Sequence, residues 1–174
     1  MFERFTKLAR QVVVDAVDEA ERQEAPRVTG EHVMLALLGK ETRAAGVLAE
    51  AGVTREVLLD TFAAARRRGG LTGSEADALR SLGIDVDDVV AQVEREHGVN
   101  ALAEPRRRMA RHRPFAPDAK ELLARTLRQA VNRRERHISD EHMLLALASG
   151  GGAPAEVLAA HGLTYPEVRA RLAS

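Results

Sequence analysis

Apolar residues recur at helical spacing along most of the chain. Phe5, Leu8, Val12, Ala16 and Ala20 lie three or four positions apart, on one face of a long amphipathic helix. Ala119, Leu122, Leu123, Leu127, Ala130 and Val131 form a second such stripe, with Pro117 where a first helical turn tolerates proline. Thr29-Gly30-Glu31 and Ser139-Asp140-Glu141 each supply oxygens that can accept the free N–H groups of a first turn, so each predicts a helix start. A third helix is expected to run to Gly52 and to Gly162, residues suited to a left-handed cap, and a fourth to begin at Thr54 and at Thr164 with Pro166 in its first turn. The alternation of β-branched and polar residues that marks strands is missing. The predicted fold class is all-α.

These paired signals arise from an internal repeat. At a shift of 110 residues, Phe5 falls on Phe115, Val28-Thr29-Gly30-Glu31-His32 on Ile138-Ser139-Asp140-Glu141-His142, and Leu35-Ala36-Leu37 on Leu145-Ala146-Leu147. The register holds without a gap to Phe62, whose partner is Leu172. Apolar, capping and glycine positions staying aligned over that distance indicate a duplicated four-helix unit. The spacer holds a partial copy of its own. Leu79, Gly83, Ile84, Asp85, Val89 and Val93 repeat Leu48, Gly52, Val53, Thr54, Leu58 and Phe62 at a shift of 31, which predicts an extra helical hairpin between the units. The expected organisation is repeat one over 1–68, inserted helices and an arginine-rich linker over 69–113, and repeat two over 114–174.

Composition narrows the function. The 174 residues carry 26 basic and 26 acidic side chains, a balance unlike the basic excess of a dedicated nucleic-acid binder. There is no cysteine, hence no disulfide, thiolate nucleophile or thiolate metal site, and a reducing compartment is the simplest reading. No leader pattern opens the chain, and no apolar run approaches the roughly 20 residues of a membrane span. The expectation is a cytoplasmic protein without membrane contact. Arg66-Arg67-Arg68 and the run from Arg106 to Arg113 read as solvated linker. The competing reading is a nucleic-acid-binding regulator that uses Arg106 to Arg108.

Met1-Phe2-Glu3-Arg4-Phe5-Thr6, the Glu31-His32 and Glu141-His142 blocks, and His112-Arg113-Pro114-Phe115-Ala116-Pro117 with Ala119-Lys120 resemble the double Clp N-terminal domain. The likeness is to the N-domains of actinobacterial ClpC-type AAA+ unfoldases and covers residues 1–62 and 112–172. It implies two pseudo-symmetric four-helix repeats in one domain that receives substrates and adaptors for a ClpC-type unfoldase. No Gly-x-x-x-x-Gly-Lys-Ser/Thr motif occurs, so the chain is expected to act without ATP hydrolysis, as a free-standing adaptor, decoy or sensor.

Two candidate sites follow from that resemblance. Glu31 and Glu141 match the glutamates of the family's phosphoarginine sites, with Thr29-Gly30 and Ser139-Asp140 standing before them where the family usually has Gly-Thr. There a helix N-terminus favours the phosphate and the glutamate can pair with the guanidinium. Asp140 would oppose a phosphate in repeat two, and both trios also read simply as helix caps. Met1, Phe2, Val13, His112, Pro114, Phe115 and Lys120 match a surface that binds peptides, including cyclic peptides, although Phe2 and Phe115 also suit hydrophobic staples. His32 and His142 are expected to pack rather than ligate. No catalytic triad, paired-carboxylate site, metal site or cofactor is expected, and the protein reads as non-enzymatic.

Overall fold

Polar caps set most of the helix boundaries. The structure is a computed structural model that describes residues 2–105 and 113–174. After a short 3₁₀ turn at Phe2–Arg4, the first unit contains α1 (Lys7–Arg22), α2 (Gly30–Leu38), α3 (Arg43–Glu50) and α4 (Arg55–Arg67). Thr6, Thr42 and Thr54 accept the backbone N–H groups of Ala9, Ala45 and Val57 at 3.1, 3.3 and 3.3 Å. The inserted hairpin is α5 (Gly73–Ser81) and α6 (Val86–His97), and the second unit is α7 (Pro117–Asn132), α8 (Asp140–Ala148), α9 (Gly152–Ala160) and α10 (Tyr165–Ala173). Gly52 and Gly162 take φ of 77° and 72° just beyond α3 and α9, the left-handed conformation that a Cβ would strain. The all-α expectation holds, with two isolated backbone bridges as the extended pairing among the described residues.

Those bridges tie the repeats to each other. Phe5 pairs with Ile138 and Phe115 with Val28, so the entry segment of each repeat pairs with the segment before the second helix of the other. Thr6 N–H donates to Ile138 at 2.9 Å, and Ala116 N–H donates to Val28 at 2.8 Å. α1 packs on α2 and α7 on α8, while α3 meets α10, α4 meets α9, and α2 meets α8 across the pseudo-twofold axis. One apolar core results, in which Met34, Leu37, Phe62, Met143, Leu145 and Leu158 are fully buried. Each such side chain contributes on the order of 1.5–3 kcal/mol by leaving water. Glu19, a buried charged residue of α1, is held by Arg55 through two 2.8 Å hydrogen bonds, which keep its pKa below the usual range.

The hairpin has a separate small core of Ala76, Val86 and Val90, with Leu71 and Leu79 packed beside it. It is fastened by polar contacts. Glu156 of α9 accepts from Gly73 N–H at 2.9 Å and from Ser74 N–H at 3.1 Å, capping α5 from the second repeat. Arg67 and Arg68 of the first repeat reach Glu94 and Asp87 on α6. Among the described residues, no single helix is long and apolar enough to cross a membrane.

Candidate functional site

The start of α2 is organised by a histidine. Thr29 N–H donates to His32 Nδ1 at 2.9 Å, and the Thr29 hydroxyl lies 2.9 Å from the same nitrogen. This is a capping box in which histidine takes the place usually held by glutamate or glutamine. Burial, with Arg66 adding to it, pushes the His32 pKa down to about 4, so the ring is neutral near pH 7. With Nδ1 accepting, the ring proton belongs on Nε2, which is buried without a partner. Repeat two has the same design: Ser139 N–H donates to His142 Nδ1 at 3.0 Å, and burial lowers that histidine too. The packing role expected for both histidines is therefore extended by a capping role.

Glu31 and Gly30 are already engaged, each by a residue far away in sequence. Arg66 near the end of α4 places Nη1 2.6 Å from Glu31 Oε2. Asp118 in the first turn of α7 accepts from Gly30 N–H at 2.8 Å. A Cβ at Gly30 would stand 3.4 Å from the same carboxylate oxygen, an ordinary contact, so the approach does not require glycine. The Glu31 side chain is only 16% exposed. Burial, reinforced by the nearby Asp118 charge and opposed by Arg66, pushes its pKa up to about 7. The helix start thus binds an anion at its N–H and a guanidinium at the next side chain, both supplied by the chain itself.

Glu31 lies between two hollows. On one side, with Thr29, His32 and Arg66, it lines a cleft of about 1440 Å³ bounded by the end of α1, α4 and the segment 100–105. On the other it borders a cavity of about 280 Å³ shared with Gly30, Asp118, Arg125, Gly151 and Pro154.

Repeat two is not an equivalent site. Asp140 stands where repeat one has Gly30; it is 7% exposed, and its Oδ2 is buried without a partner. The acidic side chain anticipated there sits inside the helix start itself. Glu141 is half-buried and makes no ion pair among the described residues, and the position matching Asp118 is Leu8.

The second set of candidates is only partly gathered. Met1 and His112 lie outside the described residues, and Phe2 belongs to the initial 3₁₀ turn. Val13 does not line an open surface, since it is 8% exposed and part of the main core. Pro114 and Lys120 are exposed, and Phe115 is half-buried where it bridges to Val28. The reading of Arg66-Arg67-Arg68 as solvated linker is corrected. Arg66 and Arg67 form the last turn of α4, and all three pair with carboxylates, on Glu31, Glu94 and Asp87. Arg106 to Arg111 fall outside the described residues. No cluster of acidic or histidine side chains that could hold a metal ion occurs among the described residues.

A family model, the Clp repeat (R) N-terminal domain, matches residues 4–70 and again 70–161. The chain belongs to that family. This Clp N-domain is 29% identical over 173 residues to the chloroplastic chaperone protein ClpC1 of Oryza sativa, covering 99% of the chain and 15% of the relative. It is 28% identical over 173 residues to a ClpA homologue, an ATP-binding subunit of an ATP-dependent Clp protease, from Cyanidium caldarium, covering 99% of the chain and 16% of the relative. The chain therefore spans about a sixth of the length of these relatives. Two solved structures share the fold. The N-terminal domain of ClpD from Arabidopsis thaliana has a TM-score of 0.55 at 18% identity, with 100% of this chain and 97% of that one covered. The Hsp104 N-terminal domain from Candida albicans has a TM-score of 0.58 at 12% identity, with 97% and 89% covered.

Arg66 and Asp118 were not among the sequence candidates. Asp118 looks like any acidic residue in a first turn, and Arg66 is the first of three adjacent arginines. Neither position announces a partner 35 or 88 residues away.

Proposed function

We propose that this Clp N-domain is a non-catalytic receptor in protein quality control. It recognises arginine-phosphorylated segments at the start of α2 and delivers them to, or withholds them from, a ClpC-type unfoldase. The observation that carries this reading is the pair of internal contacts at Gly30 and Glu31. Phosphoarginine joins an anion to a guanidinium, and the α2 start holds one of each side by side, as the Asp118 carboxylate and the Arg66 guanidinium. Arg66 is 40% exposed and sits at a helix end, so it can swing into water when a ligand arrives. The cleft beside Glu31 leaves room for the peptide that bears the modified side chain. Repeat two, with Asp140 buried at its helix start, takes no such ligand in this proposal.

Calorimetric titration with free phosphoarginine, against arginine and inorganic phosphate as controls, tests it. Arg66→Ala and Asp118→Asn each remove a resident competitor and are expected to tighten phosphoarginine binding, while Glu31→Gln abolishes it. Failure of the wild type and both opened variants to bind would overturn the assignment. A labelled cyclic peptide titrated into the same proteins probes the separate surface at Pro114, Phe115 and Lys120, whose occupancy should be indifferent to Arg66→Ala.

A further inference from the structure

The α5–α6 hairpin is a copy of α3–α4 that lacks its cover. The two hairpins share a turn: Gly83 has φ 86° where Gly52 has 77°, and Asp85 caps α6 where Thr54 caps α4. In α3–α4 the apolar positions around that turn, Leu48, Val53 and Leu58, are buried, and α2 packs against both helices. Of the matching positions in the copy, Leu79 packs beside the hairpin's own small core, but the other two are exposed. Ile84 and Val89, which flank the cap as a staple pair, are 47% and 48% exposed, and Leu82 beside them is 76% exposed. Val86 and Val90 turn into the hairpin's own small core, and Arg67, Arg68 and Glu156 hold the side that faces the repeats. The exposed apolar group therefore belongs to the outer side.

Charge says what would cover it. Residues 73–97 contain seven acidic side chains and two arginines, in a chain that is neutral as a whole. Arg80 is shared among Asp77, Asp85 and Asp87, and Arg67 occupies Glu94. Asp88, beside Val89, is exposed and carries no ion pair among the described residues. Glu96 lies two turns further along the Val89 stripe, so the apolar centre is bordered by carboxylates. We propose that this outer face docks a basic amphipathic helix of a partner protein. The leucine-like stripe of that helix would replace the cover that α2 provides for α3–α4, and its arginines or lysines would meet Asp85, Asp88 and Glu96. The proposal is independent of the ligand assigned to the α2 start.

Two synthetic helical peptides of about 18 residues, or five turns, test it. Both carry the same leucine stripe, one with an arginine-rich polar face and the other with a glutamate-rich one. The arginine peptide is expected to bind the full chain, weaken with added salt, and shift amide NMR signals within residues 73–97 while sparing α1 and α7. Ile84→Ser combined with Val89→Ser should weaken it roughly tenfold or more. So should Asp85→Asn with Asp88→Asn and Glu96→Gln, a surface set that keeps a capping residue at 85. Equal binding of the glutamate peptide would overturn the proposal, as would shifts centred outside 73–97 or undiminished binding by the second variant. Sedimentation of the unliganded protein as a dimer that Ile84→Ser and Val89→Ser dissociate would also overturn it, by giving the face to a second copy.

Discussion

Glutamine in place of Glu31 removes a carboxyl group from a position that opposes its charge. Burial holds this group up at about 7 in the folded protein, against 4.5 when it is free in solution. At about 1.4 kcal/mol per pH unit, a gap of that size is worth on the order of 3 kcal/mol. The sign follows from proton binding. Below 4.5 the group is protonated whether the chain is folded or not, and the wild type carries no penalty. Between 4.5 and 7 the folded state binds more protons than the unfolded one, so stability falls as pH rises; beyond 7 both states are ionised and the loss is complete. Glu31→Gln should therefore match the wild type near pH 4.5 and exceed it by about 3 kcal/mol at pH 8, roughly 6–12 °C in Tm for a domain of this size. Arg66 is 40% exposed and regains water when its partner is neutral, so no buried cation is left behind. Urea unfolding followed by circular dichroism from pH 4.5 to 8 measures the difference, in which groups common to both proteins, His32 among them, cancel. A difference that does not change with pH, or a less stable variant at pH 8, would make Glu31–Arg66 an ordinary stabilising pair. A destabilising carboxylate at this place would fit the binding role proposed for Glu31, as a trade of stability for function.

Three other outcomes follow from the packing. Glu156→Ala removes the external cap of α5, so hydrogen exchange should speed up across residues 73–97 while α1 and α7 keep their protection. His142→Ala leaves the Ser139 N–H without its acceptor inside the fold and should cost about 1–3 kcal/mol by urea titration. That loss should be constant above about pH 7.5, where even an ordinary imidazole is mostly neutral and burial lowers this one further. Phe62→Ala empties a fully buried position of the shared core and should cost about 3–5 kcal/mol; a loss below 1 kcal/mol would mean the repeats do not share that core as described.

The all-helical class, the repeat and the extra hairpin were legible in the chain because each depends on local chemistry. Helical spacing of apolar residues, threonine and serine at helix starts, and glycine after helix ends act over a few residues and survive duplication in register. The family resemblance rested on those same positions and on the Glu-His blocks. The candidate trio Thr29, Gly30 and Glu31 was legible for the same reason: a helix start and its first carboxylate adjoin in sequence. What occupies that trio was not. Arg66 arrives from the far end of α4 and Asp118 from α7. Val13 shows the limit in the other direction: its place in a surface motif could not reveal that it packs inside the core. Likewise Val89 repeats Leu58 in sequence, and only the packing shows one exposed and the other buried. Patterns along the chain settled which helices form and where they stop. Which distant charges meet at a helix end, and which apolar faces are covered, depend on how elements separated by tens of residues cross in space.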